Sequence, residues 1–75
     1  MQYPMNKIIN VCNVLLQTHQ TGASTSELIA AAFVLDRMEY LPHGYSVIEA
    51  WERLGDWQGA VKQIRHQYMH LIQEV

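Results

Sequence analysis

Apolar residues recur every three or four positions through most of the chain, the spacing that places side chains on one face of a helix. Near the N-terminus, Met5, Ile8, Cys12 and Leu15 follow this spacing within residues 4–19. The last predicted helix, residues 57–74, carries a narrow apolar stripe of the kind that packs between helices. Its members are Trp57, Val61, Ile64, Tyr68, Leu71 and Val75. No segment alternates apolar and polar residues over a useful length, so the sequence predicts no sheet.

Two similar signals predict where the middle helices begin. Residues 24–27 read S-T-S-E, and residues 46–49 read S-V-I-E. Each is a capping box, in which the serine hydroxyl accepts a hydrogen bond from the glutamate N–H and the glutamate carboxylate accepts one from the serine N–H. Helices are therefore expected to start at residues 25 and 47.

Proline and glycine predict the helix ends. Pro42 disfavours helical geometry at Leu41, which is the expected last residue of the second helix. Gly55 suits the left-handed residue that ends the third helix, and Asp56 can then cap the fourth. Pro4 fits the first position of the first helix. The predicted fold is all-α, a compact bundle of four helices without a sheet and a single helical domain over residues 1–75. The helices are expected at about 4–19, 25–41, 47–54 and 57–74.

The two middle helices differ in how their apolar surface is distributed. The third is expected to bury one face and expose a charged one; the buried face comprises Val47, Ala50, Trp51 and Leu54. The second is apolar nearly all round, and its expected surface strip comprises only Ser26, Ala30 and Arg37. A helix of this kind is buried on most sides. Either the other three helices wrap it, or another chain covers part of it.

Composition and charge narrow the class of protein. Of the 75 residues, 49% are hydrophobic, which argues against intrinsic disorder. The net charge of −2 lacks the basic excess of a dedicated nucleic-acid binder. Cys12 is the one cysteine, so no internal disulfide can form, and a reducing, cytoplasmic setting is expected. The longest apolar run, Leu28–Leu35, is too short to span a membrane, so no membrane association is expected.

Residues suited to catalysis or metal binding have simpler structural explanations. Ser24 and Ser46 are accounted for as helix caps, and Cys12 lies among apolar residues, where a thiol is usually inert. His66 and His70 have a spacing that can present two imidazoles to one metal, but a zinc site needs a third or fourth ligand. The sequence therefore predicts a non-enzymatic protein without a cofactor or metal.

Binding to another macromolecule is the function that the sequence favours. The surplus apolar surface of the second helix predicts a protein-interaction or regulatory module, with a homodimer as one of its states. The expected contact residues share an apolar, aromatic or arginine character that is common at interfaces. They are Phe33, Arg37, Met38, Tyr40, Arg65 and Met69.

DNA binding is the alternative. The third and fourth helices are joined by a short turn, as in a helix-turn-helix, and Gly55 and Val61 match that motif. Trp51 departs from it, because the motif has a small residue four positions before the glycine. The residues expected to face DNA are Gln58, Lys62, Arg65 and His66.

Overall fold

A computed structural model describes residues 2–73, and all regular structure in that range is helical. The helices are α1 (Met5–Thr18), α2 (Thr25–Leu35), α3 (Val47–Leu54) and α4 (Trp57–Gln63). A 3₁₀ turn, Met38–Tyr40, follows α2. A π-helical turn, Ile64–Tyr68, and a second 3₁₀ turn, Met69–Leu71, continue α4. The predicted all-α bundle of four helices without a sheet is confirmed over these residues.

Helix α2 ends at Leu35, not at Leu41 as Pro42 had indicated. Asp36 adopts a left-handed conformation, with φ 55° and ψ 43°. Its N–H donates to the Phe33 carbonyl, and the Arg37 N–H donates to the Ala32 carbonyl, 3.0 Å away. These two bonds form a Schellman motif, in which aspartate takes the place usually held by glycine. The end of α2 is therefore set by Asp36, and Met38, Tyr40 and Leu41 do not extend its apolar faces.

Helix α2 is the central element of the fold. It contacts α1, α3, α4 and the 3₁₀ turn that follows it. Ile29, Ala31, Ala32 and Val34 are completely buried. Ala30 is also completely buried, so its expected place in a surface strip is wrong. Three consecutive alanines allow neighbouring elements to approach on several sides, which explains how one short helix is covered nearly all round.

Helix α1 packs against α2 more extensively than α3 or α4 does. Ile8 and Cys12 are completely buried and Leu15 nearly so, as the predicted apolar face requires. Pro4 precedes the helix instead of opening it. On another side of α1, Asn13 holds the end of the chain: its Nδ2 donates to the Leu71 carbonyl (3.2 Å) and its Oδ1 accepts from the Gln73 N–H (2.8 Å). An amide side chain thus fastens the last described residues to the bundle.

Helix α3 begins and ends where the sequence predicts. Gly55 follows it with φ 55°, a value that favours glycine, although ψ of −122° lies outside the left-handed helical region. The predicted cap of α4 is wrong. Asp56 has helical angles, φ −63° and ψ −20°, and its side chain makes no capping hydrogen bond. The turn between α3 and α4 is too tight to give Asp56 the extended conformation that a capping residue needs.

The fourth predicted helix, residues 57–74, is helical only as far as Leu71, and its hydrogen bonding changes along the way. Its α-helical part stops at Gln63, and the π-helical turn inserts an extra residue into the repeat. The insertion shifts the apolar stripe: Ile64 is buried, but beyond the turn Ile72 is buried while Leu71 is 39% exposed. Val75, the last predicted member of the stripe, lies outside the described residues.

Candidate protein-interaction surface

An aromatic pair joins the end of α2 to α3. The rings of Phe33 and Trp51 meet edge to face, with centroids 5.0 Å apart and planes inclined by 64°. Both side chains are only partly buried. The Nζ of Lys62, on α4, lies 5.9 Å from the centroid of the Trp51 ring, within the range of a cation–π interaction. Three helices therefore contribute to one aromatic and cationic surface.

Two aliphatic side chains extend this surface along α3. Ile48 is 72% exposed and Val47 is 48% exposed. Residues three and four positions apart are neighbours on a helix, so both lie beside Trp51. We refer to Val47, Ile48 and Trp51 as the α3 ridge. With Trp51, these two side chains form a small apolar patch on the outer side of α3.

The α3 ridge corrects the expected orientation of this helix. Val47 and Trp51 were both expected on its buried face. Only Ala50 and Leu54 are buried, so α3 meets the rest of the fold through its second half and its first turn projects outward. Sequence reasoning overlooked Ile48. The available signal was its position outside the apolar face defined by Ala50 and Leu54, next to the glutamate of the capping box.

Side chains from the fourth helical segment cap the two middle helices. Arg65 donates from its guanidinium to the carbonyls of Phe33 (3.1 Å) and Val34 (3.0 Å), which are among the last carbonyls of α2. Gln58 donates from Nε2 to the Trp51 carbonyl (2.7 Å) near the end of α3. The last carbonyls of a helix lack the N–H four residues further along that would otherwise bond to them. Arg65 therefore bonds to the end of α2, and Gln58 bonds to α3.

The structure divides the expected protein-contact residues into separate regions. Phe33 and Arg65 come together at the end of α2. Tyr40 lies apart from these two residues. It belongs to the 3₁₀ turn after α2 and lines a cleft together with Leu28, near the start of α2. Met69 is 39% exposed at the start of the last 3₁₀ turn. The remaining two, both partly buried in the segment after α2, are Arg37 and Met38.

The cleft has a volume of about 260 Å³ and lies where the end of α1 meets the 3₁₀ turn after α2. It is lined by Leu15, His19, Gln20, Thr21, Leu28, Glu39 and Tyr40. His19 Nδ1 and the Tyr40 hydroxyl, 3.3 Å apart, form a hydrogen bond across it. This bond links the residue that follows α1 to the 3₁₀ turn after α2. The cleft therefore lies where these two segments contact each other.

The four residues expected to face DNA fall into two groups, those that bond to other helices and those that are exposed without such a bond being described. Gln58 and Arg65 are engaged by the carbonyls that they cap. Lys62 and His66 are exposed, and Lys62 lies over Trp51. Two of the four side chains expected to face DNA, Gln58 and Arg65, are therefore engaged in hydrogen bonds to other helices of the bundle.

The residues with nucleophilic or ligand chemistry are dispersed. Burial raises the pKa of the Cys12 thiol to about 12, so at neutral pH it is a thiol and not the reactive thiolate. Its Sγ lies 3.9 Å from the Ala31 carbonyl. Within residues 2–73, no three histidine, cysteine, aspartate or glutamate side chains come together as potential metal ligands.

The length of the helices and comparison with known proteins complete the description. None of the helices in the described part of the chain has the length and apolar character needed to cross a membrane. No protein-family profile, curated protein or solved structure matches the chain significantly.

Proposed function

We propose that this protein is a non-enzymatic interaction module that binds another polypeptide chain through the α3 ridge. The observation that carries the proposal is the 72% exposure of Ile48, one helical turn before Trp51, whose ring packs against Phe33. Complete burial of one such aliphatic side chain contributes ~1.5–3 kcal/mol. Association would therefore have a favourable apolar centre ready on the surface.

The composition of the surface resembles that of protein interfaces. Aromatic residues and arginine are enriched where proteins meet, and a polar rim commonly surrounds an apolar centre. Here Ile48 and Trp51 form the centre, and Lys62 lies at one edge. Because the Phe33 ring packs against the Trp51 ring and Gln58 bonds to the Trp51 main-chain carbonyl, this part of the surface is ordered before any partner arrives. Positioning of this kind lowers the entropy that is lost on binding.

A protein partner fits this surface better than DNA does. Phosphate neutralisation supplies most of the affinity of DNA-binding proteins, and the chain has a net charge of −2. Gln58 and Arg65, two of the four residues suited to DNA, are occupied as helix caps. Val47 and Ile48 would contribute nothing to phosphate binding. The surface is thus better matched to apolar side chains of a protein.

Site-specific photo-crosslinking in living cells tests the proposal. A photoreactive benzoylphenylalanine is placed at position 48 of the intact chain, and the cells are irradiated. We expect a covalent protein adduct, because the side chain at position 48 would lie inside the interface. The matched control places the same residue at position 17, where Gln17 is exposed on α1.

The proposal requires adducts to depend on the position of the probe. Absence of any adduct at position 48, or equal yields at positions 48 and 17, would contradict it. A salt-sensitive mobility shift of duplex DNA at micromolar protein, abolished by Lys62→Ala, would instead support the DNA-binding alternative.

A further inference from the structure

The cleft between the end of α1 and the 3₁₀ turn after α2 combines apolar and polar side chains. Leu15 is nearly buried and Leu28 is partly buried, so aliphatic groups form its inner side. His19 and Glu39 are exposed and belong to its outer side. Tyr40 adds an aromatic side chain, whose hydroxyl bonds to His19. Sites for small molecules commonly have this composition, an apolar lining with a few polar groups.

The formal charge of the cleft is negative. When histidine is counted as neutral, Glu39 is the one charged residue among those that line it. No lysine or arginine of residues 2–73 belongs to the lining. A concave surface with charge of one sign attracts ligands of the opposite sign and repels those of the same sign. The cleft is therefore expected to favour cations over anions.

The end of α1 adds to this negative potential. The last carbonyls of a helix carry a partial negative charge, equivalent to roughly half an elementary charge. Leu15, in the last turn of α1, and His19, which follows it, both line the cleft, and that turn contains no basic residue. The start of α2, near Leu28, has the opposite partial charge, but Glu27 in its first turn offsets it.

We infer that this cleft binds a small organic cation, a primary amine attached to a single ring or a short aliphatic group. The apolar part of the ligand contacts Leu15 and Leu28, and its ammonium group lies towards Glu39. The volume of about 260 Å³ is slightly below the ~300–1,000 Å³ of sites for drug-sized molecules, which limits the ligand to a small one. The cleft shares no residue with the α3 ridge, so this is a second binding function.

NMR titration of the isotope-labelled full chain with three compounds of similar shape tests the inference. Phenylethylamine is a cation at neutral pH, phenylacetate is an anion and phenylethanol is neutral, while all three carry a phenyl ring on a two-carbon chain. With the amine, we expect saturable shifts of the amide signals of Thr21, Leu28 and Tyr40. The dissociation constant should be about fivefold or more higher for phenylacetate, with phenylethanol between the two.

A conservative substitution tests the role of the carboxylate. Glu39→Gln should raise the dissociation constant of phenylethylamine about twofold to fivefold, the range expected for an exposed ion pair, and leave that of phenylethanol unchanged. Glu52→Gln is the matched control, because it removes an exposed carboxylate on α3, outside the cleft. It should leave both constants unchanged. Circular dichroism melting curves verify that both variants are folded, and the comparison of the three compounds needs no variant.

The possible outcomes separate the site from its preference for cations. Absence of saturable shifts at the cleft with millimolar phenylethylamine would overturn the site. Equal dissociation constants for phenylethylamine and phenylacetate, or amine binding unaffected by Glu39→Gln, would overturn the charge preference. Ile48→Asp, on the α3 ridge, should leave amine binding unchanged. Failure of the amine titration and failure of the photo-crosslink at position 48 are therefore distinguishable.

Discussion

Helices α2 and α3 start with the same local structure and lie in opposite environments. In α2, the Ser24 N–H donates to the Glu27 carboxylate (3.0 Å), and the Glu27 N–H donates to the Ser24 hydroxyl (3.2 Å). The corresponding distances between Ser46 and Glu49 in α3 are 3.2 and 3.1 Å. Yet α2 is buried along most of its length, whereas only Ala50 and Leu54 are buried in α3.

The comparison separates helix formation from helix burial. A capping box lowers the free energy of a helix start through bonds between residues three positions apart, whatever surrounds them. Burial depends on which surfaces the rest of the chain offers. Helix α2 is sequestered by three other helices, while α3 contacts the fold through its second half. The exposed half of α3 is consequently the surface that we propose for association.

The largest predicted contrast comes from the same substitution in each helix. Ile29→Ala, at a completely buried position of α2, should lower the free energy of unfolding by ~2–5 kcal/mol through lost burial and a cavity. Ile48→Ala, at a position 72% exposed in α3, should change it by less than about 0.5 kcal/mol in the monomer. Urea denaturation at low protein concentration measures both. Equal losses would show that α3 is as deeply packed as α2.

Truncation of the aromatic pair should have an intermediate effect. Trp51→Ala is expected to lower the free energy of unfolding by about 2 kcal/mol, less than the ~3–5 kcal/mol of a fully buried aromatic residue. Trp51 is partly exposed but contacts both Phe33 and Lys62. Thermal and urea melts of Trp51→Ala provide the value, and Trp51→Phe is the matched control because it retains a ring opposite Phe33. An unchanged midpoint for Trp51→Ala would contradict the described packing of α3.

Removal of the side-chain caps at the C-terminal ends should have a smaller effect. Arg65→Ala removes two hydrogen bonds to carbonyls of α2 and should lower the free energy of unfolding by about 1–2 kcal/mol. The expected loss is smaller than for two bonds from a buried charged donor, because Arg65 is exposed to solvent. Gln58→Ala removes one from α3 and should lower it by about 0.5–1.5 kcal/mol. Gln67→Ala, exposed in the same segment as Arg65, is the control. A loss from Arg65→Ala no larger than that from Gln67→Ala would argue against the capping role.

The smallest effect concerns the titration of Glu49. Hydrogen bonds with the side chain and then the main chain of Ser46 lower the pKa of Glu49 below its ordinary value. A depressed carboxyl pKa contributes stability above the unfolded-state pKa, and the contribution is lost as the pH falls through the folded-state pKa. NMR titration of the side-chain carboxyl should therefore show that Glu49 becomes protonated at a lower pH than an ordinary glutamate does. Ser46→Ala should raise that pKa towards the ordinary value, and an unaltered pKa in this variant would contradict the assigned cause.

The sequence by itself determined the all-α class and the starts of α2 and α3. It did so because both are encoded by neighbouring residues: apolar spacing within one helix, and serine–glutamate pairs three positions apart. The buried face of α1 was predictable for the same reason. Ile8, Cys12 and Leu15 occupy one stripe, and a stripe of that width leaves little choice of orientation.

Tertiary structure decided where α2 ends and what α3 exposes. Asp36 takes a left-handed conformation that most residues other than glycine and asparagine tolerate less well. Arg65, distant in sequence, bonds to carbonyls at this end of α2. A proline signal at position 42 could not reveal that distant contact. Within residues 2–73, the other elements leave Ile48 72% exposed on the first turn of α3. The α3 ridge thus arises from how neighbouring elements are arranged in space, which the periodicity of a single helix does not encode.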